Sequence, residues 1–265
     1  MFLVDREPML HVVAVGDGPP VLLVGGWSAS WEAWEPTVGV LSRWARCIAP
    51  DTRGTGWSDE GDGPVTLGDL VHDLFRVLDA LDVRRCVIAG ESMGGVVALH
   101  AVARHPSRFS GLCLVSTPVA LDLRTTSAVV DGCRADYPGT VRTFVQTCLP
   151  EPGTAHLVPW AEELFLATRP ATAAQLIHAV TEVPLPDTSG LEVPAVVVHG
   201  TADAVVPVGQ ADELAARLPW SRVVRLQGAG HAPTVTRPQD VADAIGSILP
   251  PADADRGGSG RAWRR

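Results

Sequence analysis

The segment best equipped for chemistry is Gly90-Glu91-Ser92-Met93-Gly94, a serine set two residues from a glycine on either side. It follows the apolar run at 86–89 and opens a stretch of helical period, so it is expected on a sharp turn between a buried strand and a helix. Such a turn holds the serine at a strained backbone angle that exposes its hydroxyl, and side chains at 90 or 94 would collide with the neighbouring strand and helix. A serine hydroxyl is a weak nucleophile until a base takes its proton, and the base in turn needs an orienting acid. Among eight histidines, His231 stands apart: Gly228-Ala229-Gly230-His231-Ala232-Pro233 reads as a loop between the last strand and the last helix. His72, His100, His105 and His178 fall in predicted helices and His11 and His199 in predicted strands, where structural roles are expected. His156 lies in a helical stretch, either solvated or lining a pocket. For the acid, Val196-Val197-Val198-His199-Gly200-Thr201-Ala202-Asp203 places Asp203 in the loop just past a buried strand. The other strand end that could supply an acid, after 112–115, offers only Ser116-Thr117-Pro118 and no carboxylate. Ser92, Asp203 and His231 thus follow one another at three strand ends, as nucleophile, orienting acid and base.

Acyl transfer at a serine passes through a tetrahedral oxyanion, which needs backbone donors. One is expected from the N–H of Met93, the residue after the nucleophile. The second is expected from Gly25-Gly26-Trp27, the loop after the run at 21–24, with the Trp27 amide as donor. Gly26 lets that backbone approach closely, and the Trp27 indole either walls the pocket or packs into the core.

The elements that must position these residues alternate in period. Two short strands, at 2–4 and 10–15, flank an Asp-Arg-Glu-Pro turn, and continuous apolar runs follow at 21–24, 47–49, 86–89, 112–115, 193–198 and 223–226. Continuous runs indicate strands buried on both faces, hence a parallel sheet. Between them, Leu67, Leu70, Val71, Leu74, Leu78 and Leu81 fall on one helical stripe with Thr66 as N-cap. Helices are also predicted at 93–105, 210–218 and 239–249, bounded by Pro106, Pro219 and Pro238. The expected architecture is α/β, an eight-stranded, mostly parallel sheet flanked by helices. No buried-strand run occurs from 119 to 187; helical pieces at 123–134, 140–148, 155–168 and 171–182 predict a helical insertion after the sixth strand. The expected organisation is a core at 1–118 and 188–250, a helical lid at 119–187, and a flexible tail at 251–265. In the lid, the inner faces carrying Leu157, Trp160, Leu164 and Phe165 are expected to line an apolar pocket over Ser92, with Trp160 and Phe165 joining Gly26 and Trp27 as substrate-binding residues.

Composition narrows the partners. The chain has 265 residues and a net charge of −9, its 21 basic residues all arginine against 30 acidic ones. That balance argues against a nucleic-acid partner, which would need clustered positive charge. No apolar run reaches membrane-spanning length and the first residues lack a signal-peptide layout, so a cytoplasmic location without membrane contact is expected. The five cysteines show neither a Cys-x-x-Cys nor a zinc spacing and read as reduced, mostly buried thiols; neither a metal nor an organic cofactor is expected.

Taken together, four segments resemble the α/β-hydrolase fold superfamily over about residues 2–249: the Gly25-Gly26-Trp27 loop, Asp51-Thr52-Arg53-Gly54-Thr55-Gly56-Trp57-Ser58-Asp59, the Gly90–Gly94 turn, and the pair Gly200–Asp203 with Gly230-His231. The resemblance implies that the Asp51–Asp59 turn is structural and that 119–187 is the family's lid. It departs from the family at Gly25-Gly26, where relatives usually carry His-Gly. A serine at the elbow speaks against the branches with an aspartate nucleophile. The activity it implies is hydrolysis of a small or medium ester or lactone, like the compact single-lid enol-lactone hydrolases and carboxylesterases. Alternatives with the same triad are carbon–carbon or thioester cleavage, or a ligand receptor with slow turnover.

Overall fold

The apolar runs fold as strands of one sheet. The computed structural model of the chain describes residues 2–4, 8–120 and 123–250; the tail expected at 251–265 and most of the turn expected at 5–8 lie outside these residues. The strands are β1 Phe2–Val4, β2 Leu10–Val15, β3 Pro20–Val24, β4 Arg46–Pro50, β5 Cys86–Glu91, β6 Phe109–Val115, β7 Ala195–Gly200 and β8 Ser221–Leu226. Their spatial order is β1-β2-β4-β3-β5-β6-β7-β8, with β1–β2 and β2–β4 antiparallel and every later pair parallel. This is the expected eight-stranded, mostly parallel sheet. β5 and β7 are buried at every position, as strands covered on both faces must be.

One strand differs. The run at 223–226 was expected to be buried, but β8 buries only Leu226 and exposes Arg222 and Arg225. It is the sheet edge and has a neighbour on one side only, β7.

The helices are α1 Glu35–Leu41, α2 Leu67–Ala80, α3 Met93–Arg104, α4 Leu123–Ala135, α5 Tyr137–Cys148, α6 Val158–Leu166, α7 Pro170–Thr181, α8 Gly209–Ala216, α9 Pro233–Thr236 and α10 Pro238–Gly246. Alternate residues of β3 face opposite layers. Leu22 and Val24 join Leu70, Leu74, Val77 and Leu78 of α2 and Val97 of α3, whereas Val21 and Leu23 join Val38 and Leu41 of α1 and Val241 and Ile245 of α10. α2 starts at a capping box: Thr66 Oγ1 accepts the Asp69 N–H at 3.2 Å, and Asp69 Oδ2 accepts the Thr66 N–H at 3.0 Å.

Four helices, α4 to α7, stand between β6 and β7, where the helical insertion is expected. Their bounds differ from the sequence reading where proline and glycine mislead. Pro138 and Gly139 do not separate helices; they lie in the first turn of α5, where Asp136 caps by accepting the Gly139 N–H at 3.0 Å. The piece expected at 155–168 is a 3-10 turn, Thr154–Leu157, followed by α6. α1 has no counterpart in the sequence reading, since Pro36 and Gly39 mask its period. Among the described residues no helix is long and apolar enough to cross a membrane, and all five thiols are free and buried.

Candidate active site

Ser92 sits between β5 and α3 at φ 51° and ψ −119°, a region that non-glycine residues seldom occupy. Its N–H donates to Val115 O at 2.8 Å, tying the turn to β6, and its carbonyl accepts the Gly95 N–H at 3.0 Å. The flanking glycines are dictated by backbone contact. A Cβ at 90 would collide with the Gly94 carbonyl, and one at 94 with the carbonyls of Val24 and Gly25.

The structure brings the three residues at the strand ends together. Ser92 Oγ lies 3.0 Å from His231 Nε2, and His231 Nδ1 lies 2.8 Å from Asp203 Oδ2. The carboxylate fixes the proton on Nδ1, which leaves Nε2 as the acceptor for the serine hydroxyl. Asp203 and His231 are buried, and Asp203 Oδ1 accepts the N–H groups of Val205 at 2.8 Å and Val206 at 2.9 Å. Burial alone would raise the Asp203 carboxyl. The hydrogen bonds from His199, His231 and Val206, with the His231 charge, outweigh it and hold the group well below the usual carboxylate range.

His199 was expected to be purely structural, yet it shares the acid. Its Nε2 lies 3.2 Å from Asp203 Oδ2 and 2.9 Å from Val206 O, two acceptors, so Nε2 carries the proton. The signal in the sequence is the spacing of four from His199 to Asp203, which a strand end followed by a tight turn closes into contact. The remaining histidines stay away from Ser92. His11 pairs with Asp51 at 2.7 Å; His72, His105 and His156 are exposed, and His100 and His178 are half-buried. Asp51 also accepts the N–H groups of Trp31 and Trp57, as a structural hub would.

The loop after β3 passes beside the serine: a Cβ placed on Gly26 would lie 3.7 Å from Ser92 Cβ. The main-chain N–H groups of Trp27, in this loop, and of Met93, the first residue of α3, have no protein acceptor among the described residues. The Trp27 indole is buried, donates to Ala173 O of α7 at 2.8 Å and stands edge-on to Phe144, ring centroids 5.0 Å apart. It therefore both packs and walls a cavity. That apolar cavity of about 60 Å³ adjoins Ser92 and His231 and is lined by Gly26, Trp27, Trp160, Leu164 and Phe165, as well as Phe144 and Leu149, which the sequence reading did not single out. Leu157 does not line it and packs against the core instead.

Glu91 also borders this cavity. Its Oε1 accepts the Thr234 hydroxyl at 2.7 Å, and burial raises its carboxyl to about 7 although that hydrogen bond and the His231 charge pull the other way. The folded protein thus keeps a proton that the unfolded chain releases in the ordinary carboxylate range. Stability contributed at this site falls as pH rises from about 4.5 to about 7. Glu91→Gln retains an acceptor for Thr234 and removes the penalty, at most about 3 kcal/mol. Thermal melts of the two proteins should diverge in favour of Glu91→Gln between pH 5 and pH 8; parallel curves would refute the argument. Among the described residues no group of three His, Cys, Asp or Glu side chains could hold a metal ion.

A family model described as the α/β hydrolase fold matches residues 19–158, and one described as TAP-like protein matches residues 167–249. Pimeloyl-[acyl-carrier protein] methyl ester esterase of Nitrosomonas europaea is 25% identical over 254 residues, covering 90% of this chain and 99% of that one. The crystal structure of a hydrolase from Pseudomonas aeruginosa superposes with a TM-score of 0.86 at 27% identity, covering 94% of this chain and 97% of the other. The enol-lactonase of Burkholderia xenovorans gives a TM-score of 0.86 over 92% of this chain and 97% of its own; at 24% identity it speaks for the fold alone.

Proposed function

From the premise that this chain belongs to the α/β-hydrolase fold family, we propose that it is a serine hydrolase cleaving a small carboxylic ester or lactone through an acyl-enzyme on Ser92. The observation that carries this reading is the continuous relay from Ser92 Oγ through His231 to Asp203, beside two unused N–H groups. In this mechanism Ser92 Oγ bonds to the substrate carbonyl carbon while His231 Nε2 takes the hydroxyl proton. The resulting oxyanion accepts from the N–H groups of Trp27 and Met93. The carbonyl re-forms, the bond to the leaving oxygen breaks, and His231 returns its proton to that oxygen. A water, deprotonated by His231, then adds to the acyl carbon, and the acid leaves as Ser92 recovers its proton. Asp203 stabilises the imidazolium throughout and does not itself exchange the proton.

The cavity supports a short acyl group: its volume offers about four to six water-sized positions, and α5 and α6 line it with Phe144, Trp160 and Phe165. The relative from Nitrosomonas europaea is named for an ester carried on an acyl-carrier protein.

The test is turnover. An aryl acetate should be hydrolysed for many cycles with released acid, and kcat/KM should fall as the acyl chain lengthens from acetate to decanoate. A burst near one equivalent followed by a stall would indicate the slow-turnover receptor instead, and no reaction at all would exclude both.

A further inference from the structure

We propose that Glu151, in the lid segment that follows α5, is a positioning residue for the base: it clamps the His231 loop so that the imidazole stays in line with Ser92. The inference rests on the serine-hydrolase reading above.

The main-chain donors of that loop divide into two groups. The Gly228 N–H donates to Thr201 Oγ1 at 2.8 Å and the Ala229 N–H to Leu226 O at 3.2 Å, both partners lying in the sheet or its end loops. The next two donors find their partners, among the described residues, only on 148–151. The His231 N–H donates to Cys148 O at 3.0 Å, and the Gly230 N–H to Glu151 Oε1 at 2.9 Å. The same Oε1 accepts the Thr236 hydroxyl at 2.7 Å, so one oxygen ties both sides of the base, the loop before it and α9 after it. Contact is flush as well as polar. A Cβ on Gly230 would lie 2.6 Å from Cys148 O and would collide with the Pro150 ring, so this pair of segments can close only with glycine at 230.

Glu151 itself is an unfavourable choice for a merely structural tie. Its Oε2 is buried with no hydrogen-bond partner among the described residues, and a partly satisfied buried carboxylate costs stability. An acceptor needed at this one place for function accounts for retaining it. The consequence is mechanical: the segment joining α5 to α6 cannot lift from the core without releasing the two N–H groups that hold the base.

The experiment compares the rate at which a fluorophosphonate labels Ser92, together with kcat and KM for an aryl acetate, in the unaltered protein, Glu151→Gln and Glu151→Ala. Glutamine keeps the Oε1 acceptor and should stay within about three-fold. Alanine should slow labelling and lower kcat by about 10- to 100-fold, the range set by a misplacement of about 1 Å, with KM within about two-fold. The far-downfield proton of the His231–Asp203 hydrogen bond, seen by NMR, should persist in Glu151→Gln and broaden in Glu151→Ala. Alanine labelling as fast as the unaltered protein, or glutamine as slow as alanine, overturns the proposal. If the alanine protein does not fold, Glu151→Asp, too short to reach Gly230, takes its place, and labelling at the unaltered rate then overturns it. Absence of labelling in the unaltered protein would instead sink the hydrolase reading, before any variant is compared.

Discussion

Ser92→Ala will abolish labelling by a fluorophosphonate and lower turnover of an aryl ester by about 10⁶-fold, the scale found when the serine is removed from an intact triad. The effect is so large because the serine supplies the covalent step itself. On the proposed mechanism, what survives should be the catalysis due to binding and to the N–H groups of Trp27 and Met93. The substitution is also structurally mild. Alanine keeps the Cβ that already fits this turn, and the hydrogen bonds from Ser92 N–H to Val115 and from Gly95 N–H to the Ser92 carbonyl are main-chain bonds that any residue makes. Melting temperature should therefore change little while labelling vanishes. Ser28 and Ser116 share the positive φ, at 54° and 48°, but no histidine is hydrogen-bonded to either hydroxyl, so neither should take over. Undiminished labelling in the folded alanine variant would place the reactive nucleophile elsewhere and refute the assignment.

How much of this is legible in the chain follows from which forces are local. Strands sandwiched between helix layers must be apolar on both faces, so β3, β4, β5, β6 and β7 announce themselves as unbroken runs. α2 announces itself through its stripe and its cap at Thr66. Ser92 and Asp203 are conspicuous because each stands in a loop directly after such a run, and His231 because it stands in the loop after the last strand; all three are marked by glycines that the close backbone contacts require. β8 misleads because an edge strand is half solvated, and α5 because Pro138 and Gly139 start a helix as readily as they end one. The contributions that escape notice are set by contacts between segments distant in sequence. Glu151 meets Gly230, Trp27 meets Ala173, and Glu91 meets Thr234 only after the sheet and the inserted helices have packed. Nothing in the local composition of 148–151 distinguishes a clamp from an ordinary proline-bounded turn.

Asp203→Asn should lower kcat by about 10⁴-fold, the effect of the corresponding change in the best-studied serine triad, and the local hydrogen bonds give the reason. The carboxylate divides its donors cleanly: Oδ1 takes the Val205 and Val206 N–H groups, and Oδ2 takes His231 Nδ1 and His199 Nε2. An asparagine must leave its single oxygen with the two main-chain donors, which cannot change character. Its NH₂ group then faces two imidazoles. His199 can keep its proton on Nε2, because Val206 O still accepts it. His231 has no such alternative; its Nδ1 must become the acceptor, and the proton moves to Nε2, opposite Ser92 Oγ. The serine then meets a donor where it needs a base. Folding should survive, since shape and both main-chain bonds are preserved, although the NH₂ group now crowds His199 and some loss of melting temperature is expected. Nitrogen NMR of the imidazoles provides the decisive check, with His231 protonated at Nδ1 in the unaltered protein and at Nε2 in Asp203→Asn. A folded asparagine variant with near-normal turnover, or one that loses activity while His231 keeps its Nδ1 proton, would show that Asp203 does not orient the base in the way its contacts imply.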